Sequence, residues 1–161
     1  MILGYSPART IGTVGKMTAI IFEKRGQQAW ITLDRPQAKN MLNGDMFVEL
    51  ADAWQEVRDD DDIRVAVLTA AGDEDFCCGG DLSQVIPLWT GARQAQTPVE
   101  ERLLADPMLP DRIMLKSDPL YKPVIAAING RALGGGSRCV FQVGAQRRGL
   151  QMAAFNRDDP D

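Results

Sequence analysis

The 161-residue chain carries 18 basic and 22 acidic residues, a net charge of −4, and is 45% hydrophobic and 25% charged. It is long enough for one domain with a real core and short for two. A basic nucleic-acid footprint is excluded, since no basic cluster is longer than Arg147–Arg148, and no apolar run reaches the length of a membrane span. The absence of histidine removes Ser-His-Asp and Cys-His nucleophile systems and every His-based metal site. Cys77, Cys78 and Cys139 make no CxxC pair and leave an odd count, so a reduced, cytoplasmic protein is expected.

Residues 1–17 read as a disordered leader, with Met17 the natural first residue. Residues 1–16 hold no acid, two basic residues and several hydroxyls, a weak likeness to a transit peptide. Thr18 to Lys24 and Gln28 to Leu33 are β-rich and predict an antiparallel hairpin around Arg25, Gly26 and Gln27. Asp34-Arg35-Pro36 ends the second strand, because proline cannot continue a ladder. A polar loop, Gln37 to Asn40, follows.

Asn43 is placed to cap a helix, with Asp45 in the first turn where the dipole favours an acid. Apolar residues at Phe47, Leu50, Trp54 and Val57 give it one buried face. The helix is expected to stop near Arg58, because the acidic run Asp59 to Asp62 suits a solvated turn and opposes the dipole. Four consecutive aspartates cannot all face one ion, so no metal site is assigned there. Arg64 to Thr69 is nearly continuously apolar and β-branched, as in a parallel strand buried on both faces.

A polar loop then enters FCCGGDL, Phe76 to Leu82, where Asp81 can cap a following helix. Val85 to Tyr121, punctuated by Pro87, Pro98, Pro107, Pro110 and Pro119, reads as a mobile, partly helical excursion over the site. Pro123 to Ile128 predicts a second buried strand, closed by the glycines at Gly134 to Gly136.

Both glycine turns link a buried strand to a helix start and offer unobstructed backbone N–H groups. Such groups can hold negative charge developing on a substrate oxygen. Two nucleotide motifs fail at this place. A Walker A loop would need lysine where Gly136 stands, and a GxGxxG loop starting at Gly134 would end on Cys139. A structural reading, in which the glycines permit close packing of helix on strand, stands beside the functional one.

Three segments carry a resemblance: ITLDRPQAKNMLNGDMF at Ile31 to Phe47, VAVLTAAGDEDFCCGGDL at Val65 to Leu82, and KPVIAAINGRALGGGS at Lys122 to Ser137. Together, in this order and spacing, the chain resembles the crotonase superfamily, the enoyl-CoA hydratases and isomerases of acyl-CoA and fatty-acid metabolism. The resemblance covers about three-quarters of the chain, Thr18 to Ser137. It implies an α/β fold, a spiral of ββα units that assembles as a homo-trimer or hexamer. It implies an acyl-CoA substrate and no separate cofactor, coenzyme A being part of the substrate. By position, the backbone N–H groups of Gly80 and Gly135 would hold the thioester oxygen. Gln37, Ala38 and Lys39 would face the CoA adenine and ribose end, Cys78, Asp81 and Leu82 would also bind the CoA substrate, and Cys77 and Cys78 would lie beside the thioester. Cys77 and Cys78 are read as small packing groups rather than nucleophiles, since no histidine is present to lower their pKa.

The resemblance breaks at Arg138, where hydratases of this family carry a glutamate. A second glutamate is expected later, yet the last glutamate of the chain is Glu101. Residues 138–161 lose the family pattern, and the chain stops short of a complete member. A crotonase incomplete at its C-terminus, truncated or frame-shifted after Ser137, is therefore expected. Its hydration chemistry would be impaired, and the sheet would keep an unpaired edge with an uncovered apolar face. Alternative readings are a non-catalytic acyl-CoA or subunit-binding module and an inactive gene remnant. If turnover occurs, Asp106, Asp111 and Asp118 are the first candidate bases.

Overall fold

The computed structural model describes the backbone of residues 14–16 and residues 19–138. The expectations for residues 1–13 and 139–161 lie outside the described residues. A five-stranded sheet runs in the order β1-β2-β3-β4-β6, with β1 Val14–Lys16, β2 Ile20–Arg25, β3 Gln28–Leu33, β4 Val65–Ala70 and β6 Val124–Ala126. A second sheet of two strands joins β5, Asp75–Cys77, to β7, Arg131–Ala132. Among the described residues the connections hold helices α1 Gly44–Asp59, α2 Leu82–Trp89, α3 Pro98–Ala105 and α4 Leu109–Ile113.

The hairpin forms as expected. Arg25 pairs with Gln28, and Gly26 turns the chain at φ +60°, a left-handed conformation that glycine adopts without a Cβ penalty. Strand β1 corrects the expected leader over residues 14–16. It pairs antiparallel with β2, Val14 opposite Glu23 and Lys16 opposite Ile21. The outer edge of β2 offers free ladder groups, and an extended neighbouring segment satisfies them.

Asn43 caps α1 by accepting the Met46 N–H at 3.1 Å. Phe47, Leu50, Trp54 and Val57 are all buried, and α1 lies against β2 and β3. Each such side chain contributes about 2 kcal/mol on burial, which outweighs any intrinsic helix propensity of the segment. Glu49 binds the incoming strand as well, accepting the N–H groups of Ala19 and Ile20. Strand β4 is buried at Ala66, Val67, Leu68 and Ala70 and pairs parallel with β3 and β6, as its apolar run predicts.

The acidic turn is more than solvated surface. Lys24 Nζ lies 2.6 Å from an Asp60 carboxylate oxygen, and this contact holds the Asp60 carboxyl below its usual range. Lys122 Nζ donates to the carbonyls of Val57 and Asp60 at 2.8 and 2.6 Å, closing the C-terminal end of α1. A cation there meets the carbonyls that the helix leaves without partners.

Two further expectations are corrected. Strand β6 is shorter than Pro123 to Ile128 and is not fully buried, Ile125 being 46% exposed. It is the last strand of its sheet among the described residues, so only one side of it is paired. The stretch from Val85 to Tyr121 is packed rather than suspended. Leu103, Leu109, Ile113, Leu115 and Leu120 are buried, and α3 and α4 lie on α1. Trp54 Nε1 donates to the Ile113 carbonyl at 3.1 Å, and Arg102 pairs with Asp52. No described helix is long and apolar enough to cross a membrane.

Replacing Lys122 by methionine keeps the stem and removes the charged donor. The expected cost is about 2 kcal/mol, the usual worth of hydrogen bonds from a charged group, read as a lower urea midpoint with an unchanged slope.

The start of α3 carries a pH-dependent contact. Arg93 donates to both Glu100 oxygens, and the Gln96 N–H adds a third bond, lowering the Glu100 carboxyl from 4.5 to about 2. Folding lowers this pKa, so the contribution is complete above pH 4.5 and is lost as pH falls towards about 2. The stability gap between the wild type and Glu100→Gln should close across that window in acid titrations of unfolding. A gap unchanged down to pH about 2 would refute the assignment.

Candidate active site

Three backbone segments converge where β5, α1 and β7 meet the loops. The first is a 3-10 turn, Pro36–Ala38, followed by Lys39 and Asn40 in left-handed conformation, φ 53° and 49°. The second is Cys78 to Asp81, between β5 and α2. The third is Leu133 to Ser137, where residues 135–138 take helical backbone.

Asn40 fixes the first segment. Its side chain is fully buried, accepts the Arg35 N–H through Oδ1, and donates from Nδ2 to the carbonyls of Ala71 and Asp75. Asparagine tolerates the left-handed region better than other residues with a side chain. The first and second segments then run side by side. The Cys78 N–H donates to Lys39 O at 3.1 Å, the Leu42 N–H to Gly79 O at 2.8 Å, and the Asp81 N–H to Leu42 O at 2.8 Å. Leu42 and Gly80 thus form a single parallel bridge.

That bridge orients Gly80. In a parallel bridge Leu42 bonds to the residues before and after Gly80, so Gly80's own N–H faces the other way. On that other side stands the third segment. The Leu133 N–H donates to Cys77 O at 2.9 Å. A Cβ on Gly135 would lie 3.7 Å from the Gly80 nitrogen, and a Cβ on Gly136 would overlap the Cys77 carbonyl. Gly79, at φ +92°, would place a Cβ 3.2 Å from the Gly135 nitrogen. The two glycine turns therefore pack backbone to backbone, which the structural reading of these glycines requires. Among the described residues, neither the Gly80 nor the Gly135 N–H donates to a protein acceptor. Both glycines remain partly open to solvent.

The side chains around the turns are held in fixed states. Cys77 is buried, and burial pushes its thiol up to about 11. Burial also raises the Cys78 thiol, which lies 3.2 Å from Asp75 Oδ1 and donates to it. The Arg131 guanidinium binds both Asp75 oxygens, at 2.7 and 3.0 Å, and holds that carboxyl below the usual range. Neither cysteine has the activated character of a nucleophile.

Of the remaining candidates, Gln37 and Lys39 stand exposed on the rim, Ala38 is half-buried, and Leu82 is 65% exposed. Leu82 Cδ2 comes within 4.0 Å of a Cβ position on Gly80. Asp81 occupies the N-cap position of α2, but its carboxylate makes no cap bond, which corrects the expected role. It accepts instead from Ser83 Oγ at 2.7 Å and faces Arg35 Nη2 at 3.4 Å. Arg138, where the resemblance placed a glutamate, is exposed and donates its N–H to Gly134 O. Asp106 and Asp118 pair with Arg112, and Asp111 with Lys116, so none is a free base. Among the described residues no group of three or more acids and cysteines could hold a metal.

Sequence reasoning missed Asn40 and Arg35. The one available signal was an asparagine closing a short polar loop after proline, a position that favours positive φ.

The enoyl-CoA hydratase/isomerase family model matches residues 23–143, running past Ser137. The chain belongs to this family. It is 38% identical over 117 residues to an (E)-benzylidenesuccinyl-CoA hydratase of Thauera aromatica, covering 73% of this chain and 41% of that protein. It is 35% identical to a short-chain-enoyl-CoA hydratase of Clostridium acetobutylicum, covering 75% and 42%. Among solved structures, a carnitinyl-CoA hydratase from Mycobacterium avium superposes with TM-score 0.63 at 33% identity, over 79% of this chain and 44% of that one. The fold is thus crotonase-like, and the chain spans about two-fifths of the length of the curated relatives it matches.

Replacing Asn40 by alanine would leave the half-buried carbonyl of Ala71 and the buried carbonyl of Asp75 without its donors. The expected loss is about 3 kcal/mol, since each abandoned buried group costs about 1–3. Denaturant unfolding reads it directly, and a loss below about 0.5 kcal/mol would refute the anchoring role.

Proposed function

We propose that this protein acts on acyl-CoA thioesters through a two-amide oxyanion hole. The observation that carries this reading is the pair of uncommitted N–H groups on Gly80 and Gly135, in turns that pack backbone to backbone. Charge grows on the thioester oxygen as an enolate forms beside the carbonyl, and two preorganised amides stabilise that charge more than they stabilise the ground state. Removal of one such donor typically raises the barrier by about 3 kcal/mol. The rim residues Gln37, Ala38 and Lys39 would meet the CoA portion. Cys78, Asp81 and Leu82 would border the thioester. No separate cofactor is required. Relatives named as hydratases of benzylidenesuccinyl-CoA and of short-chain enoyl-CoA support the substrate class.

Proton transfer is the weak part of the machinery. Arg138 stands where a general base would be carried, and the carboxylates of Asp75 and Asp81, on the stretch of chain that holds Gly80, face guanidinium groups. The protein is therefore proposed to bind thioesters and to hydrate them poorly. This keeps a second reading in play, a non-catalytic acyl-CoA-binding member of the family, favoured by the same arginine. A trimeric or hexameric assembly and a cytoplasmic location complete the proposal.

The test uses crotonyl-CoA and the purified protein. Saturable binding by calorimetry is expected, with little or no loss of the conjugated thioester absorbance. Rapid hydration would show that a base outside these positions serves, and would discard the binding-only reading. A soluble, folded protein with no saturable affinity for the thioester would refute the proposal.

A further inference from the structure

Half-buried Arg35, which has no part in the site as described so far, pairs with buried Asp81 and so touches both segments that hold Gly80. Arg35 directs Nη1 to the Met41 carbonyl at 2.6 Å and Nη2 to the Asp81 carboxylate at 3.4 Å. Its backbone N–H is bound by Asn40 Oδ1. The two side chains are 13% and 7% exposed, so this fork lies beneath the surface. Met41 precedes Leu42 and Asp81 follows Gly80. The guanidinium therefore spans the Leu42–Gly80 bridge from one flank.

We infer that Arg35 is a positioning residue that sets the direction of the Gly80 amide by tying the Met41 carbonyl to the Asp81 carboxylate. This inference rests on the two-amide reading above. The bridge is a single unit of ladder with two backbone bonds, supported by one further backbone bond from the Cys78 N–H to Lys39 O. A rotation of the Gly79–Gly80 peptide would break the Leu42 N–H bond to Gly79 O and turn the Gly80 N–H away from its present direction. A planar guanidinium with two donors in fixed geometry resists that rotation, whereas a single ammonium can satisfy only one of the two partners well. Ser83, donating to the other Asp81 oxygen at 2.7 Å, holds the carboxylate in place for the fork.

The test separates positioning from folding by a spectroscopic signature. A chromophoric thioester, a cinnamoyl-type enoyl-CoA, shifts its absorbance to the red when its carbonyl is polarised by aligned donors. Wild type, Arg35→Lys and Arg35→Met are compared for this shift, for affinity towards unesterified CoA, and for thermal unfolding. Arg35→Lys retains the charge facing Asp81 and guards against a variant that fails to fold. The expected result is a folded Arg35→Lys protein with CoA affinity within about threefold of wild type and less than half of the wild-type red shift. Restoration of the full shift by lysine would overturn the bridging role, because charge alone would then suffice. An undiminished shift in a folded Arg35→Met protein would overturn it equally. A wild type that binds CoA but shows no shift would overturn the two-amide reading and this inference with it.

Discussion

The bridge between Leu42 and Gly80 is the constraint on which the candidate site depends. It consumes the Gly79 carbonyl and the Asp81 N–H, and in doing so it leaves the Gly80 N–H facing the opposite turn. Everything nearby serves to keep those two strands of loop in register. Asn40 pins the first segment to the carbonyls of Ala71 and Asp75. The Leu133 N–H pins the third segment to Cys77. Close approach of three backbones needs positions without side chains, and Gly79, Gly135 and Gly136 supply them. The glycine pattern is thus a packing device and a source of open amides at once. The two readings of such turns are one arrangement seen from different sides.

A second junction ties this site to the core. Lys122 closes the end of α1, while the carbonyl of the next residue, Pro123, accepts the Ala66 N–H of β4. One dipeptide therefore sets both the end of the helix and the register of β6. Downstream, Asn129 donates to the carbonyls of Ala70 and Gly72, and Arg131 binds Asp75. The chain is fastened at each of these points before it reaches the glycines at Gly134 to Gly136. The position of the second turn is inherited from contacts that begin at the far end of α1.

Much of this was legible in the sequence, for physical reasons that differ by element. Helix α1 was readable because a cap, an acid in the first turn and an apolar period agree. Strand β4 was readable because burial on both faces demands an unbroken apolar run. Strand β6 misled because its composition suits burial, but burial depends on a neighbour that composition does not reveal. The helices from Leu82 to Ile113 were obscured by their prolines. Pro98 and Pro110 lie in first turns, where a missing N–H costs nothing, yet in sequence they resemble breaks. In the site, the glycines marked where backbones meet, and similarity in three linked segments fixed their order. Asn40 and Arg35 were not legible. Their importance comes from partners 31 to 46 residues away, and no local pattern encodes such pairing.

The electrostatics divide the chemistry in two. The amides of Gly80 and Gly135 can stabilise charge at any pH, because a backbone N–H does not titrate in this range. The pKa values of the cysteines and of Asp75 beside them are pushed away from neutral pH by their surroundings. Burial raises both thiols, Cys77 to about 11, and Arg131 lowers Asp75. A general base works best with a pKa near the operating pH, and none of these groups is tuned that way. The carboxylates further along are spent in ion pairs with Arg112 and Lys116. On the proposed reading, these turns receive negative charge, and the side chains beside them are not tuned to move a proton. If the proposed reading holds, affinity for a thioester changes little across neutral pH, while turnover follows the pKa of a group outside these turns. That separation follows from the geometry alone: backbone donors are fixed by packing, and proton transfer needs a side chain that the packing has left free.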